Sequence, residues 1–235
     1  VTKIDQPLVI AHRGSSVDAY ANSNEAFKLA IEQNADMIEL DTHLTKDGFF
    51  IVYHDSVIKH QGEKYKISDT NLEIIQTLLL PNKEPIPLLE DVLKQMLSKI
   101  KFNVEIKCLL ERDEFDALLS NVGGDNSRIL VSSFKRKVLY NLRNSDLGYS
   151  LAFLTRRLGF RTLKMVQCDF IKVINPSYKH LRKQHVNFYH KHNKKVYSWT
   201  VNEDKDIKSL VKKRVDGIIT DNPQKTKQII QSYLT

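Results

Sequence analysis

Three short motifs in the first 55 residues carry groups that do chemistry: His12-Arg13-Gly14, Glu39-x-Asp41 and His54-Asp55. Each closes an apolar run, Leu8 to Ala11, Met37 to Leu40 and Phe49 to Tyr53, and such runs read as strands. Residues at i and i+2 of a strand share a face, so Glu39 and Asp41 aim at one spot, with His43 beside them if the strand runs that far. Two carboxylates aimed together repel unless a positive charge lies between them, and a hard divalent cation held by oxygens answers that need. Val104-Glu105-Ile106-Lys107 adds a third carboxylate at another strand end, with Lys107 on the same face. An acid, a base and a cation are the parts that phosphoester chemistry uses. His12 and His54 are candidates for the acid and base. Arg13 offers a fork of donors to phosphate oxygens, and Lys107 a compact point charge. Taken singly, each has a plainer reading: a packed histidine, or a surface ion pair for Arg13 and for Glu105 with Lys107. Their convergence favours a site.

Side chains at separate strand ends must be brought together by a sheet. Strand-like runs begin near residues 8, 37, 102, 128, 149, 170, 195 and 217, with helical patterns between them. Strand-helix alternation implies a parallel sheet, and eight units close into a (β/α)8 TIM barrel, here expected as a single domain over residues 1–235. Residues 49–53 read as an extra hairpin strand after the second. Active sites of such barrels gather at the carboxyl ends of the strands, where His12, Glu39, Asp41, Glu105 and Trp199 fall. Asn22 and Glu25 have the spacing of a capping box for the first helix. Residues 57–85 read as an irregular stretch followed by a helical pattern at Leu72 to Leu80. A helix is expected from Tyr178 to His190.

The motifs His12-Arg13-Gly14, Glu39-x-Asp41 with Leu44-Thr45-Lys46-Asp47-Gly48, His54-Asp55, Glu105-x-Lys107, Trp199-Thr200-Val201-Asn202 and Asp216 to Pro223 resemble those of the glycerophosphodiester phosphodiesterase family in order and spacing. The resemblance spans almost the whole chain and is weakest over 57–85. It implies metal-dependent hydrolysis of a glycerophosphodiester to glycerol 3-phosphate and an alcohol, through a cyclic phosphate, with His12 and His54 moving the protons. Glu39, Asp41 and Glu105 are the expected metal ligands, and ligation by oxygen alone favours Mg²⁺ or Ca²⁺ over zinc. Arg13 and Lys107 are expected at the phosphate, and Trp199 as an apolar wall against the glycerol carbons. One position departs from the pattern: the family has Pro-Glu-Asn where this chain has Tyr20-Ala21-Asn22, so a glutamate is replaced by Ala21. Two alternatives follow, a lysophospholipase D-type activity, which needs an apolar groove for an acyl chain, and a phosphodiester-binding protein weakened in catalysis.

Composition bounds the partners. The chain has 235 residues and a formal net charge of +8. Residues 1–175 are balanced, and the excess lies entirely in 176–235. A one-sided charge can draw anionic lipid or polyanions, but a solvated face of helices is the preferred reading, with peripheral membrane contact as the lesser one. A small-molecule substrate is expected and no nucleic acid. No apolar run approaches the ~20 residues of a membrane span. A cytoplasmic location, or an exported one if a signal preceded Val1, is the expectation. Cys108 and Cys168 read as reduced thiols, His180, His185, His190 and His192 as solvated or packed, and Asp221 as a turn or cap residue.

Overall fold

The computed structural model describes residues 6–235. Its strands are β1 (Leu8–His12), β2 (Met37–Leu44), β3 (Phe50–Val52), β4 (Val57–His60), β5 (Glu63–Lys66) and β6 (Lys101–Ile106). They continue with β7 (Ile129–Ser133), β8 (Ser150–Thr155), β9 (Ile171–Pro176), β10 (Lys195–Ser198) and β11 (Gly217–Thr220). The helices are α1 (Asn24–Glu32), α2 (Leu72–Ile75), α3 (Leu89–Met96), α4 (Arg112–Val122) and α5 (Arg136–Leu142). They end with α6 (Phe160–Val166), α7 (Lys183–Lys191), α8 (Asp204–Lys213) and α9 (Pro223–Leu234).

Eight strands pair in parallel around a closed ring, in the order β1, β2, β6, β7, β8, β9, β10, β11 and back to β1. This is the (β/α)8 barrel expected from the alternation. Outward strand residues pack beneath helices whose buried positions recur at helical spacing, such as Leu89, Val92, Leu93 and Met96 of α3. Inward residues fill the barrel in layers. Ile10, Met37, Leu130, Ala152, Val173, Tyr197 and Ile219 make an apolar plug. Gly217 makes room in it, since a Cβ there would lie 2.7 Å from Tyr197 Cδ1. Nearer the carboxyl ends the interior turns polar, with Asn103, Ser132 and Asn175 fully buried. The plug closes the floor, and chemistry is confined to the upper end.

The insertion after β2 is larger than expected. β3 returns antiparallel along the upper part of β2, as the hairpin reading has it. A second hairpin, β4 with β5, occupies residues read from sequence as irregular. The helix expected at Leu72 to Leu80 is only the single turn of α2, and Leu80 instead pairs with Glu84 through a backbone hydrogen bond. The segment expected as one helix from Tyr178 is a 3-10 turn, Tyr178–His180, followed by α7. Among the described residues no helix is long and apolar enough to cross a membrane. Cys108 and Cys168 are unpaired thiols.

Gly14 fixes the loop that follows β1. Its φ is +83°, and a Cβ would fall 2.6 Å from the carbonyl carbon and oxygen of Ala26 in α1. Both the backbone region and the contact exclude a side chain. Gly14→Ala is expected to destabilise the fold by about 1–3 kcal/mol, the range for overpacking at a rigid wall, read as a lower denaturation midpoint with an unchanged m-value. An unchanged midpoint shows that the loop can move away from α1.

Candidate active site

Register brings the ionisable residues to one place. His12 is level with Glu39 across β1 and β2, and Asp41 with Glu105 across β2 and β6. Glu39, Asp41 and Glu105 each place one carboxylate oxygen within 4.8 Å of the others. All three are buried, so their mutual repulsion is scarcely screened.

Two cations share this cluster. Lys107 Nζ lies 3.0 Å from Asp41 Oδ1 and 2.9 Å from Glu105 Oε1. Arg13 Nε lies 2.9 Å from Asp41 Oδ2. Burial works against the charge of Asp41, but Lys107, Arg13 and a hydrogen bond from Asn22 outweigh it and hold the carboxyl below its usual range. No lysine or arginine lies at ion-pair distance from Glu39 among the described residues. Burial, then Asp41 and Glu105, push its carboxyl well above the ordinary value. Glu105 is also raised, chiefly by burial. Three carboxylates face two cations, and the candidate ligand atoms that converge there are all carboxylate oxygens. That donor set fits a hard divalent cation, whose charge lets Glu39 stay ionised.

Both histidines stand over the cluster and are oriented by carboxylates. His12 Nδ1 donates to Asp221 Oδ1 at 2.6 Å, leaving Nε2 facing the cavity, 4.0 Å from Glu39 Oε2. Asp221 is itself held by Asn202 Nδ2 at 2.6 Å and Ser16 Oγ at 3.1 Å. Burial opposes its charge, but the hydrogen bonds from His12, Asn202 and Ser16 keep its carboxyl low. A group with a depressed folded pKa stabilises the fold above its unfolded value and loses that contribution as pH falls through the lower folded value. The pair with His12 therefore survives to pH values below the ordinary aspartate range. His54 Nδ1 donates to Asp55 Oδ1 at 2.7 Å, at a more open rim. Its backbone oxygen accepts from His43 Nε2 at 3.1 Å, so His43 braces the His54 loop. With Nδ1 engaged on both rings, each Nε2 is the face free to take or give a proton.

His12, Arg13, Glu39, His54, Glu105 and Lys107 line one cavity of about 140 Å³. Its opposite wall carries Phe134, Arg156 and Trp199. Trp199 meets Phe134 edge-on at 5.6 Å, and its Nε1 donates to the Asn175 carbonyl at 2.7 Å, which fixes the indole. Phe134 carries no local sequence signal of a place in the site.

Asn22 is a correction. The helix is capped by Ser23, whose Oγ accepts from Ala26 N at 3.1 Å, and Asn22 N donates to the Arg13 carbonyl at 2.9 Å rather than to Glu25. Asn22 instead adopts φ 61° and turns its side chain to Asp41, donating through Nδ2 at 2.9 Å and accepting from Asp41 N at 3.3 Å. Ala21 beside it is half-buried, and the three carboxylates converge without the acid that the family pattern places there. Asn22→Ala is expected to cost about 1–3 kcal/mol, because a buried carboxylate loses a donor, and to weaken cation binding as Asp41 loosens. Calorimetric titration with Mg²⁺ and Ca²⁺, alongside denaturation, checks both. Unchanged stability and affinity together leave the Asn22–Asp41 contact without a role.

Known proteins resemble this chain over most of its length. The profile of the Glycerophosphoryl diester phosphodiesterase family matches residues 12–225. A glycerophosphodiester phosphodiesterase from Caldanaerobacter subterraneus subsp. tengcongensis is 32% identical over 92% of this chain and 95% of its own length. A lysophospholipase D from Mus musculus is 25% identical, over 95% of this chain and 86% of its own. Among solved structures, a glycerophosphodiester phosphodiesterase from Parabacteroides distasonis superposes with a TM-score of 0.85 at 27% identity, covering 98% of this chain and 99% of that one. An Oleispira antarctica phosphodiesterase in complex with the product sn-glycerol-3-phosphate gives 0.87 at 22% identity, covering 96% and 97%.

Proposed function

The chain belongs to the Glycerophosphoryl diester phosphodiesterase family, and from that premise we propose that it hydrolyses glycerophosphodiesters to glycerol 3-phosphate and an alcohol. The observation that carries this reading is one cavity holding two histidines, each with Nδ1 bound to a carboxylate, above a buried cluster that can hold a metal.

The chemistry follows from what faces the cavity. The glycerol hydroxyl next to the phosphoester attacks phosphorus, the alcohol leaves, and water then opens the cyclic phosphate. One histidine Nε2 accepts the proton of the attacking hydroxyl, and the other donates one to the leaving oxygen. In the second step the roles exchange. Asp221 steadies the positive charge that His12 acquires. Arg13 and Lys107, already at the carboxylates, are near enough to offer donors to the non-bridging oxygens. Glu39, Asp41 and Glu105 would hold the cation, Mg²⁺ or Ca²⁺, which supplies positive charge against the phosphoryl oxygens when bound. The Trp199 and Phe134 rings give the glycerol carbons an apolar wall.

The chamber opens beside Trp199 onto a concavity walled by Arg156, Arg157, Lys179 and His180. Such a lining does not suit an acyl chain, which favours glycerophosphodiesters over lysophospholipids. The test is incubation with glycerophosphocholine, glycerophosphoethanolamine, glycerophosphoglycerol and lysophosphatidylcholine, with Mg²⁺ or Ca²⁺, following glycerol 3-phosphate and the freed alcohols. Glycerol 3-phosphate from the deacylated diesters is expected. Release from none of them removes the reading, and choline from lysophosphatidylcholine alone moves it to lysophospholipase D.

A further inference from the structure

The loops above β8 and β9 carry charge of one sign. Asp169 is the single acid among residues 147–202, and it precedes β9, at the opposite end of the barrel from the site. At the site end the same stretch places Arg156 and Arg157 after β8, and Lys179, His180 and Arg182 after β9. Arg156, Arg157, Lys179, His180, Trp199 and Thr200 bound an open trough of about 480 Å³. Three of these, Arg156, Trp199 and Thr200, also line the chamber over the carboxylates. The concavity continues past Arg157 and His180 to Arg182 and His185.

A basic face is most often solvated, and its charges are then interspersed with acids and held loosely. Here neither holds. Among the described residues no carboxylate lies within ion-pair distance of Arg156, Arg157, Lys179 or Arg182. The wall shared with the chamber is also fixed in place. The Arg156 guanidinium lies 4.8 Å over the Phe134 ring. The Arg157 carbonyl accepts from Thr155 Oγ1 at 2.7 Å and from Thr162 Oγ1 at 3.1 Å, which pins the loop. The Arg156 donors, already held over the ring, lose little freedom when a ligand arrives.

The chamber, at about 140 Å³, has room for a phosphoryl group and a moiety of glycerol size. A larger alcohol must extend past Trp199 and Arg156. On the phosphodiesterase reading, we propose that this trough binds a second phosphate carried by the leaving alcohol of the substrate, with Arg156, Arg157 and Lys179 as its partners. The preferred substrates are then glycerophosphodiesters of anionic alcohols, and a choline or ethanolamine group meets repulsion along the same path.

A phosphomonoester on the alcohol and a further phosphodiester in a chain offer the same chemistry, and matched pairs separate them. Turnover of sn-glycero-3-phosphoinositol 4-phosphate is compared with that of sn-glycero-3-phosphoinositol, and turnover of a short poly(glycerol phosphate) oligomer with that of glycerophosphoglycerol. In at least one pair kcat/KM should favour the member with the additional phosphate by roughly tenfold, the size of two exposed ion pairs together. The preference should fade with added salt. In the double variant Arg157→Gln, Lys179→Gln that ratio should fall toward one. Equal kcat/KM within both pairs overturns the proposal, as does tight binding to anionic phosphatidylglycerol vesicles with no discrimination in either pair, which would assign the trough to a membrane surface. If no diester is cleaved, the phosphodiesterase reading fails on its own. The trough is then judged by calorimetry, where inositol 1,4-bisphosphate should bind more tightly than inositol 1-phosphate to the wild type and lose that advantage in the double variant. Equal affinities there also overturn it.

Discussion

His12→Ala lowers kcat by roughly 10²–10⁴, the range for a lost acid or base, while thermal stability changes little. The histidine side chain is one-fifth exposed and its hydrogen bond is to Asp221, which keeps Asn202 and Ser16 as donors when the ring is gone. The variant therefore loses a proton carrier without leaving a bare buried charge. Asp221→Asn separates holding the ring from moving the proton. An amide in that position can donate to Nδ1, which turns the tautomer so that Nε2 carries the hydrogen. The expected result is a smaller loss than for His12→Ala, together with a displaced pH–rate profile and unchanged KM. A role for Asp221 confined to the fold would lower stability without moving the profile. His54→Ala is expected in the same range as His12→Ala. Wild-type turnover in either histidine variant removes that residue from the mechanism.

The contrast between these two histidines shows what a sequence can and cannot reveal. The His12, Glu39, Asp41 and Glu105 positions are legible because each ends an apolar run, and period two within a strand fixes which neighbours share its face. The eight-strand barrel is legible for the same reason. Asp221 is not, because its contact with His12 spans 209 positions and is made by the closing of the ring between β1 and β11. Its local surroundings, Thr220-Asp221-Asn222-Pro223, read equally well as a helix entry, and Asn222 does cap α9 by accepting from Lys225 N. Asn22 misled for a related reason. The residue type suits a cap, and only the left-handed backbone at φ 61° shows that its side chain serves Asp41 instead. The β4–β5 hairpin escaped because Glu63–Lys66 is largely polar, so alternation gives no clear period. The charge asymmetry of residues 176–235 was visible, but nothing local showed that the loop after β9 would bring part of it beside the site, next to Arg156 and Arg157 from the balanced portion.

Removal of divalent cations is expected to abolish turnover, and Mg²⁺ or Ca²⁺ to restore it. The argument rests on how the cluster is balanced. Asp41 is held ionised by Lys107, Arg13 and Asn22 despite its burial, so it needs no further cation. Glu39 has burial, Asp41 and Glu105 acting against its charge, with Arg13 and Lys107 opposing them too weakly to prevent a raised value. A cation among these oxygens reverses that balance, because it binds the ionised form of all three. Binding to the folded chain alone must then raise stability. At a concentration 100 times the dissociation constant the gain is about 2.7 kcal/mol, which for a chain of this size amounts to a rise in Tm of roughly 5–10 °C. The rise can be measured without any substrate, so it tests the site even if the activity is something else. Glu39→Gln and Glu105→Gln should each reduce the rise, and Glu39→Gln should leave the metal-free protein as stable as the wild type or more so, since a neutral amide replaces a carboxyl that burial disfavours when charged. A Tm that neither cation moves, with full activity after exhaustive chelation, would show that Lys107 and Arg13 alone meet the charge of these carboxylates.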